Sequence, residues 1–352
     1  MISSAKYCFG VLKPVEDNIV YRSVRSEPFK IYGLYNGSPE NFYRLPSAFA
    51  ETVNKDVAAR MRESAGLRVR FATDSPFIAI NAQLEDFSSA PHLTTLASKG
   101  FDLYVEKDGI FTYHNSFHPP FDTENEIAGI TYFGESKIRN IVIDFPLGAV
   151  VRDLRIGFRK GSGLFPGHGY KLDLPIVFYG SSVTQGFSAS RPGNTYQNFI
   201  SRALNADYIN MGFSSGALGE KNMAEYLSRI PMSVFVLDFD RDPPDAELLK
   251  RRHAEFYRII RGKNPTLPIV ILSRPATSET QEERLRRKII VETYCNGILD
   301  GDKNLYYIDG CSFFRKDALF DCTVDGCLPN DLGMYFIAKK IIKTLNSTDL
   351  FH

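Results

Sequence analysis

From residue 175 to the C-terminus, short apolar runs alternate with longer segments of helical pattern, and this alternation narrows the possible folds more than any other feature. The runs lie at 175–179, 208–211, 234–239, 269–272 and 305–308, and the helical segments at 195–204, 246–261, 279–295 and 332–345. Short β-type runs without a polar face read as parallel strands covered on both sides. Strands separated by helices are joined by right-handed crossovers, so the pattern predicts an α/β domain built on a parallel sheet. Ligands of open α/β sheets bind beyond the carboxyl ends of the strands. There the first run, PIVFYG, breaks into Gly180-Ser181-Ser182 and enters a helix. Ser182 is thus placed either as an exposed nucleophile at the positive end of that helix or as its cap.

Residues 1–170 carry a different pattern. Residues 66–84 alternate apolar and polar side chains around an Asp-Ser-Pro turn, and 101–113 reads as a hairpin turning through Asp108-Gly109. Two more strands are expected at 138–145 and 151–158, on either side of a Pro-Leu-Gly turn. Short strands with frequent turn signals predict a β-sandwich. The one helix expected here covers 51–65. The glycine-rich stretch 161–170, GSGLFPGHGY, is the expected boundary between a sandwich over 1–170 and an α/β domain over 171–352. A chain of 352 residues is long enough for two cores.

The formal net charge is +1, so bulk electrostatics draw neither nucleic acid nor an anionic membrane. No apolar run reaches bilayer-spanning length. The N-terminal MISSAKYCFGVLKPVEDN lacks the continuous apolar core of a secretory signal. The five cysteines (Cys8, Cys295, Cys311, Cys322 and Cys327) are an odd set with no partner group to complete a zinc site. They read as free structural thiols, so a cytoplasmic protein without metal or cofactor is expected. The stretch 282–288, EERLRRK, reads as a solvated helix face with i,i+4 pairs and not as a nucleic-acid patch.

Four strand-end loops meet at the carboxyl edge of the expected sheet: Gly180-Ser181-Ser182, then NMGFSSG (210–216), DFDRD (238–242) and DGCL (325–328). The sandwich half contains Gly100-Phe101-Asp102-Leu103-Tyr104. Together with the blocks YGSSVTQGFSASRPGNTYQ (179–197) and TVDGCLPNDLG (323–333), it resembles the SGNH (GDSL-type) hydrolases, in the branch with an N-terminal Gly-x-Asp-Leu-Tyr domain. The resemblance implies a three-layer, flavodoxin-like α/β domain preceded by a jelly-roll-like sandwich. It also implies a serine ester hydrolase, often one acting on O-acetyl groups of carbohydrates. Ser182 then matches the nucleophile and Asp325 the triad carboxylate. The oxyanion donors match the Ser182 N–H, a glycine N–H of the second block and an asparagine amide of the third. Gly180, Ser181, Arg241 and Gly216 are further pocket candidates.

Three positions depart from that pattern. Leu328 stands in the place of the triad histidine, and leucine neither accepts nor returns a proton. Asp242 stands in the place of the oxyanion asparagine, where an ionised carboxylate offers no N–H and repels the developing charge. Ser215 takes the glycine place, with Gly216 one residue late, and still serves if its backbone adopts the required conformation. Loss of the base costs on the order of 10⁶ in kcat, and loss of one oxyanion donor roughly 10²–10³.

Of the six histidines, His168, His114 and His118 are placed to approach the crevice from the linker and the sandwich. His253 reads as a helix-face residue; His92 and His352 complete the set. Asp325 has other readings, as a cap of the 326–330 turn or the partner of a cation. Arg241 either pairs with Asp242 or grips an anionic ligand, and Leu328 reads as packing. Two functions follow. One is an ester hydrolase of carbohydrate O-deacetylase lineage, working weakly through Ser182. The other is a non-catalytic descendant that binds an acylated sugar or a similar small ligand.

Overall fold

The computed structural model describes residues 18–35, 41–119, 125–275, 280–348 and 350. Cys8 and His352 lie outside the described residues. The N-terminal half contains strands β1 (Ile19–Ser23), β2 (Lys30–Tyr32), β3 (Arg68–Thr73), β4 (Phe77–Phe87), β5 (Phe101–Lys107), β6 (Ile110–Phe117), β7 (Glu126–Tyr132), β8 (Arg139–Asp144), β9 (Ala149–Arg159) and β10 (Leu164–Phe165). They form two antiparallel sheets, β1-β9-β4-β7 and β10-β3-β8-β5-β6, with β2 added to β3. Inward residues of alternating strands fill the space between the sheets: Phe71, Leu103 and Ile143 from one, Ile80, Leu154 and Ile156 from the other. The β5–β6 hairpin turns through Asp108 and Gly109, at φ 52° and 77°, as the Asp-Gly pair predicts.

Residues 51–65 do not form one helix. Helix α1 (Ser47–Val53) stops at Asn54, whose side chain accepts the N–H groups of Asp56 and Val57 and so starts α2 (Lys55–Arg60). Asparagine favours that cap over a helix interior because its side chain competes for backbone donors. Ala50 and Val57 pack against the C-terminal sheet and not inside the sandwich. A third short helix, α3 (Thr95–Lys99), precedes β5.

Beyond it, β11 (Ile176–Gly180), β12 (Tyr208–Gly212), β13 (Val234–Asp238), β14 (Ile269–Leu272) and β15 (Leu305–Ile308) pair in parallel, in the order β12-β11-β13-β14-β15. The helices are α4 (Ser182–Gln185), α5 (Tyr196–Leu204), α6 (Lys221–Leu227), α7 (Ala246–Lys263), α8 (Gln281–Leu299) and α9 (Asp331–Leu345). Val177, Tyr179, Phe235 and Leu237 face α6, α7 and α8, while the intervening Phe178, Val234 and Val236 face α5 and α9. This is the three-layer flavodoxin-like arrangement. The order reverses beside β11, which opens a crevice at the carboxyl ends of β11 and β13. Among the described residues no helix is long and apolar enough to cross a membrane.

Alternation along β5 explains the Asp-Leu-Tyr motif. Leu103 enters the sandwich core, whereas Asp102 and Tyr104 emerge on the opposite face. One Asp102 oxygen accepts the Ser116 hydroxyl at 2.6 Å; the other accepts Gly193 N–H at 2.8 Å and Arg191 Nη1 at 2.6 Å. Tyr104 OH accepts from Arg191 as well, at 2.6 Å. Only glycine fits at 193, since a Cβ there would stand 2.1 Å from the Tyr104 hydroxyl. The motif therefore holds the loop that follows Ser182.

Candidate active site

The Gly-Ser-Ser turn starts at the carboxyl end of β11, where Gly180 lies opposite Asp238 of β13. A Cβ at Gly180 would lie 2.1 Å from Thr184 Oγ1 and 2.2 Å from the Asp238 carbonyl oxygen, so the turn requires glycine. Ser181 caps α4 by accepting the Val183 N–H at 3.3 Å, and Gly186 closes the turn at φ 99°. The cap is Ser181, which leaves the Ser182 hydroxyl unengaged. Ser182 is 8 % exposed, and its hydroxyl has no hydrogen-bond partner among the described residues.

The C-terminal block does reach this loop. Pro329 O accepts the Ser188 hydroxyl at 2.6 Å, and Asp331 accepts Ser190 N–H and Asn194 Nδ2, both at 2.7 Å. Within the block, Asp325 Oδ1 accepts Cys327 N–H (2.9 Å) and Leu328 N–H (2.7 Å), which makes it the cap of its own turn. Leu328 is buried in the apolar cluster shared by Phe178, Val183 and α9. Gly326 sits in the turn at φ 81°.

No imidazole substitutes by direct contact with Ser182 among the described residues. The expectation that His168 approaches the crevice is corrected: its Nδ1 lies 2.6 Å from Glu106 and its backbone N–H donates to Asn140, both on the sandwich. The linker carries it there because Leu164 and Phe165 pair with β3. His114 packs on the Phe133 ring, and burial lowers its pKa. His253 lies on the buried face of its helix α7. It is buried, bonded through Nδ1 to Thr293 Oγ1 at 2.9 Å, and desolvation drives its pKa down to about 3.

The second and third blocks meet each other. Ser215, exposed at φ 63°, takes the left-handed conformation that Gly216 does not need. Ser214 N–H donates to Gln185 Oε1 at 2.9 Å, which ties this loop to α4. Asp242 Oδ2 accepts the Ala217 N–H at 3.1 Å, and the Ser215 N–H also faces this carboxyl. Asp242 and Arg241 do not form an ion pair. Arg241 instead places Nη1 2.7 Å from the Cys327 sulfur, across from the loop after β13 to the loop before α9.

Arg286 was missed as a site residue. The expectation of a wholly solvated 282–288 face is corrected: Arg286 is buried, and its Nε donates to Asp240 Oδ1 at 3.1 Å. It also donates to the carbonyls of Asp240 and Pro243, fixing the turn that carries Arg241 and Asp242. A signal was available: 286, 289, 290, 293 and 297 form one buried stripe of α8.

Burial also raises five carboxyls: Asp144 to about 6, Asp238 and Asp242 to about 7, and Asp207 and Glu220 upward from their ordinary values. Asp238 accepts Thr184 Oγ1 (2.9 Å) and Tyr196 OH (3.1 Å), which oppose but do not cancel desolvation. The ordinary value for an aspartate carboxyl is 3.8. As pH rises between about 4 and 7, the unfolded chain has lost protons that the native state still holds, so stability falls through that window and levels off above it. The thermal midpoint should therefore be lower at about pH 8 than at about pH 5.5, with a shallower slope in Asp238→Asn. A midpoint that rises over the interval contradicts the assignment.

A tight Gly-Ser-Ser turn thus stands at the carboxyl end of β11, and among the described residues no imidazole is bonded to the Ser182 hydroxyl. Residues 173–346 match the GDSL-like lipase/acylhydrolase family, and 19–164 match the GxDLY N-terminal domain of SGNH-type esterases. The chain belongs to the SGNH (GDSL-type) hydrolase family, in the branch with that N-terminal domain. A structure described as a GDSL-like lipase from Bacteroides ovatus ATCC 8483 is 29% identical with a TM-score of 0.85, covering 94% of this chain and 98% of that one. The salicylyl-acyltransferase SsfX3 from a tetracycline biosynthetic pathway shares the fold at 16% identity and a TM-score of 0.77, over 95% and 99% of the two chains. So does a family two carbohydrate esterase from Cellvibrio japonicus, at 12% and 0.60, over 94% and 97%. Comparison with curated proteins gives no match.

Proposed function

We propose that this chain is a non-catalytic descendant of an SGNH ester hydrolase whose crevice binds an acylated carbohydrate or a related small ligand. The observation that carries the reading is the state of the last block. Leu328 is packed in the core where a base would stand, and Asp325 Oδ1 caps its own turn. A serine hydroxyl without a proton acceptor is a poor nucleophile. Carbohydrate as the ligand class is suggested by fold neighbours described as a family two carbohydrate esterase and an acetyl xylan esterase.

The test has two arms on the purified chain. Release of acetate from 4-nitrophenyl acetate and acetylated xylan should be no faster than with Ser182→Ala. Among acetylated and free oligosaccharides, at least one should raise the melting temperature, since ligand at about 100 times its Kd adds roughly 2.7 kcal/mol. Rapid Ser182-dependent hydrolysis restores the enzyme reading, and a panel without a single binder removes the binding one.

A further inference from the structure

Asp242 changes what the crevice can recognise. Its Oδ2 is occupied by the Ala217 N–H, and the Ser215 N–H faces the same carboxyl, so a carboxylate already covers two loop donors available to a carbonyl oxygen. Its other oxygen has no hydrogen-bond partner among the described residues and is not closed off from solvent. The Ser182 hydroxyl, on the neighbouring strand's loop, is likewise unengaged and can accept as well as donate. Asp240, which could have competed as an acceptor, is held by Arg286 and the Arg274 N–H. What the loop after β13 presents is a half-buried acceptor with one oxygen unbonded.

We propose that Asp242 makes this crevice select hydrogen-bond donors, so that it takes the free hydroxyl of a de-esterified sugar in preference to the carbonyl of the corresponding ester. The inference rests on the ligand-binding reading above and narrows its ligand to the deacylated member of the pair. An ester carbonyl brought to this oxygen meets an acceptor and is repelled, whereas a hydroxyl gains a charge-assisted bond. The groups around Asp242 are Arg241 on its own turn, Asp56 from α2, and Tyr179 and Asp238 from the strands below. Arg241 favours the carboxylate; Asp56 and burial oppose it. With its pKa raised to about 7, the acceptor form grows as pH rises through neutrality.

The experiment is calorimetric titration of the full chain with xylotriose, mannotriose and cellotriose, each free and O-acetylated, in wild type and Asp242→Asn. At least one free sugar should bind wild type about fivefold or more tightly than its acetylated form, and Asp242→Asn should weaken that free sugar by roughly tenfold and narrow or reverse the preference. For wild type alone, affinity for the free sugar should rise several-fold from about pH 6 to about pH 8, a change that the variant lacks. This pH series needs no variant to fold. Tighter binding of the acetylated sugar by wild type, or a preference unchanged by Asp242→Asn, overturns the inference while leaving the binding function standing. Absence of binding by both members of every pair overturns the function itself.

Discussion

With Leu328→His and Asp242→Asn combined, the protein should hydrolyse 4-nitrophenyl acetate on the order of 10³-fold faster than with either substitution alone. The backbone for a triad is in place. Leu328 N–H already donates to Asp325 Oδ1 at 2.7 Å, so a histidine side chain would leave from the correct turn, with Asp325 Oδ2, which has no hydrogen-bond partner among the described residues, available to orient it. That restores a base, but a tetrahedral intermediate formed at Ser182 would still face the Asp242 carboxyl. Asparagine at 242 keeps an oxygen for the Ala217 N–H and turns an amide donor toward the open side. Because base and oxyanion donors act as a unit, each repair alone should yield little. If Leu328→His by itself matches the double variant, the carboxyl at 242 does not obstruct the oxyanion.

Replacing Asp102 by alanine should cost about 3–5 kcal/mol of stability, the range for breaking a buried ion pair from one side. Asp102 is fully buried, and its loss leaves the Arg191 guanidinium and the Gly193 N–H without their carboxylate. The damage should extend beyond the sandwich. Residues 191–194 lie between the motif and Asp331, so the loop joining Ser182 to the C-terminal block loses its carboxylate anchor on the sandwich side while keeping the one at Asp331. Urea unfolding followed by tyrosine fluorescence should show a lower midpoint, and Asp102→Asn a smaller loss. A change in Asp102→Ala below about 1 kcal/mol would mean that the ion pair is merely decorative at this interface.

What was legible in the sequence is what depends on local periodicity and turn chemistry. The five parallel strands are apolar on both faces because both faces are covered, and Asp108-Gly109 makes its turn through its own backbone preferences. Helix starts follow the same local chemistry, since Thr195, Thr280 and Asn330 each cap the helix that follows, whereas the end of α8 at Leu299 lies beyond the expected 295. The family blocks placed Ser182, Asp325, Leu328 and Asp242 on the loops now seen at one sheet edge. Contacts between distant segments were not legible. Nothing in EERLRRK says that its second arginine of three reaches Asp240, and nothing near Asn54 says that its side chain donates to Gly216 O. The helix break at Asn54 came from a side chain preferring backbone donors over helical periodicity. The partner of Asp242 depends on the left-handed turn at Ser215, which brings a third segment into reach.

The central claim, a formed serine turn with no proton acceptor, is tested most directly by exposing the folded protein to a fluorophosphonate and weighing it. That reagent forms a covalent adduct with a serine only when the hydroxyl is activated by a neighbouring base. The expected spectrum shows the unmodified mass alone after prolonged exposure. A stoichiometric adduct that disappears in Ser182→Ala would contradict the account, because some group in the crevice would then be taking the Ser182 proton.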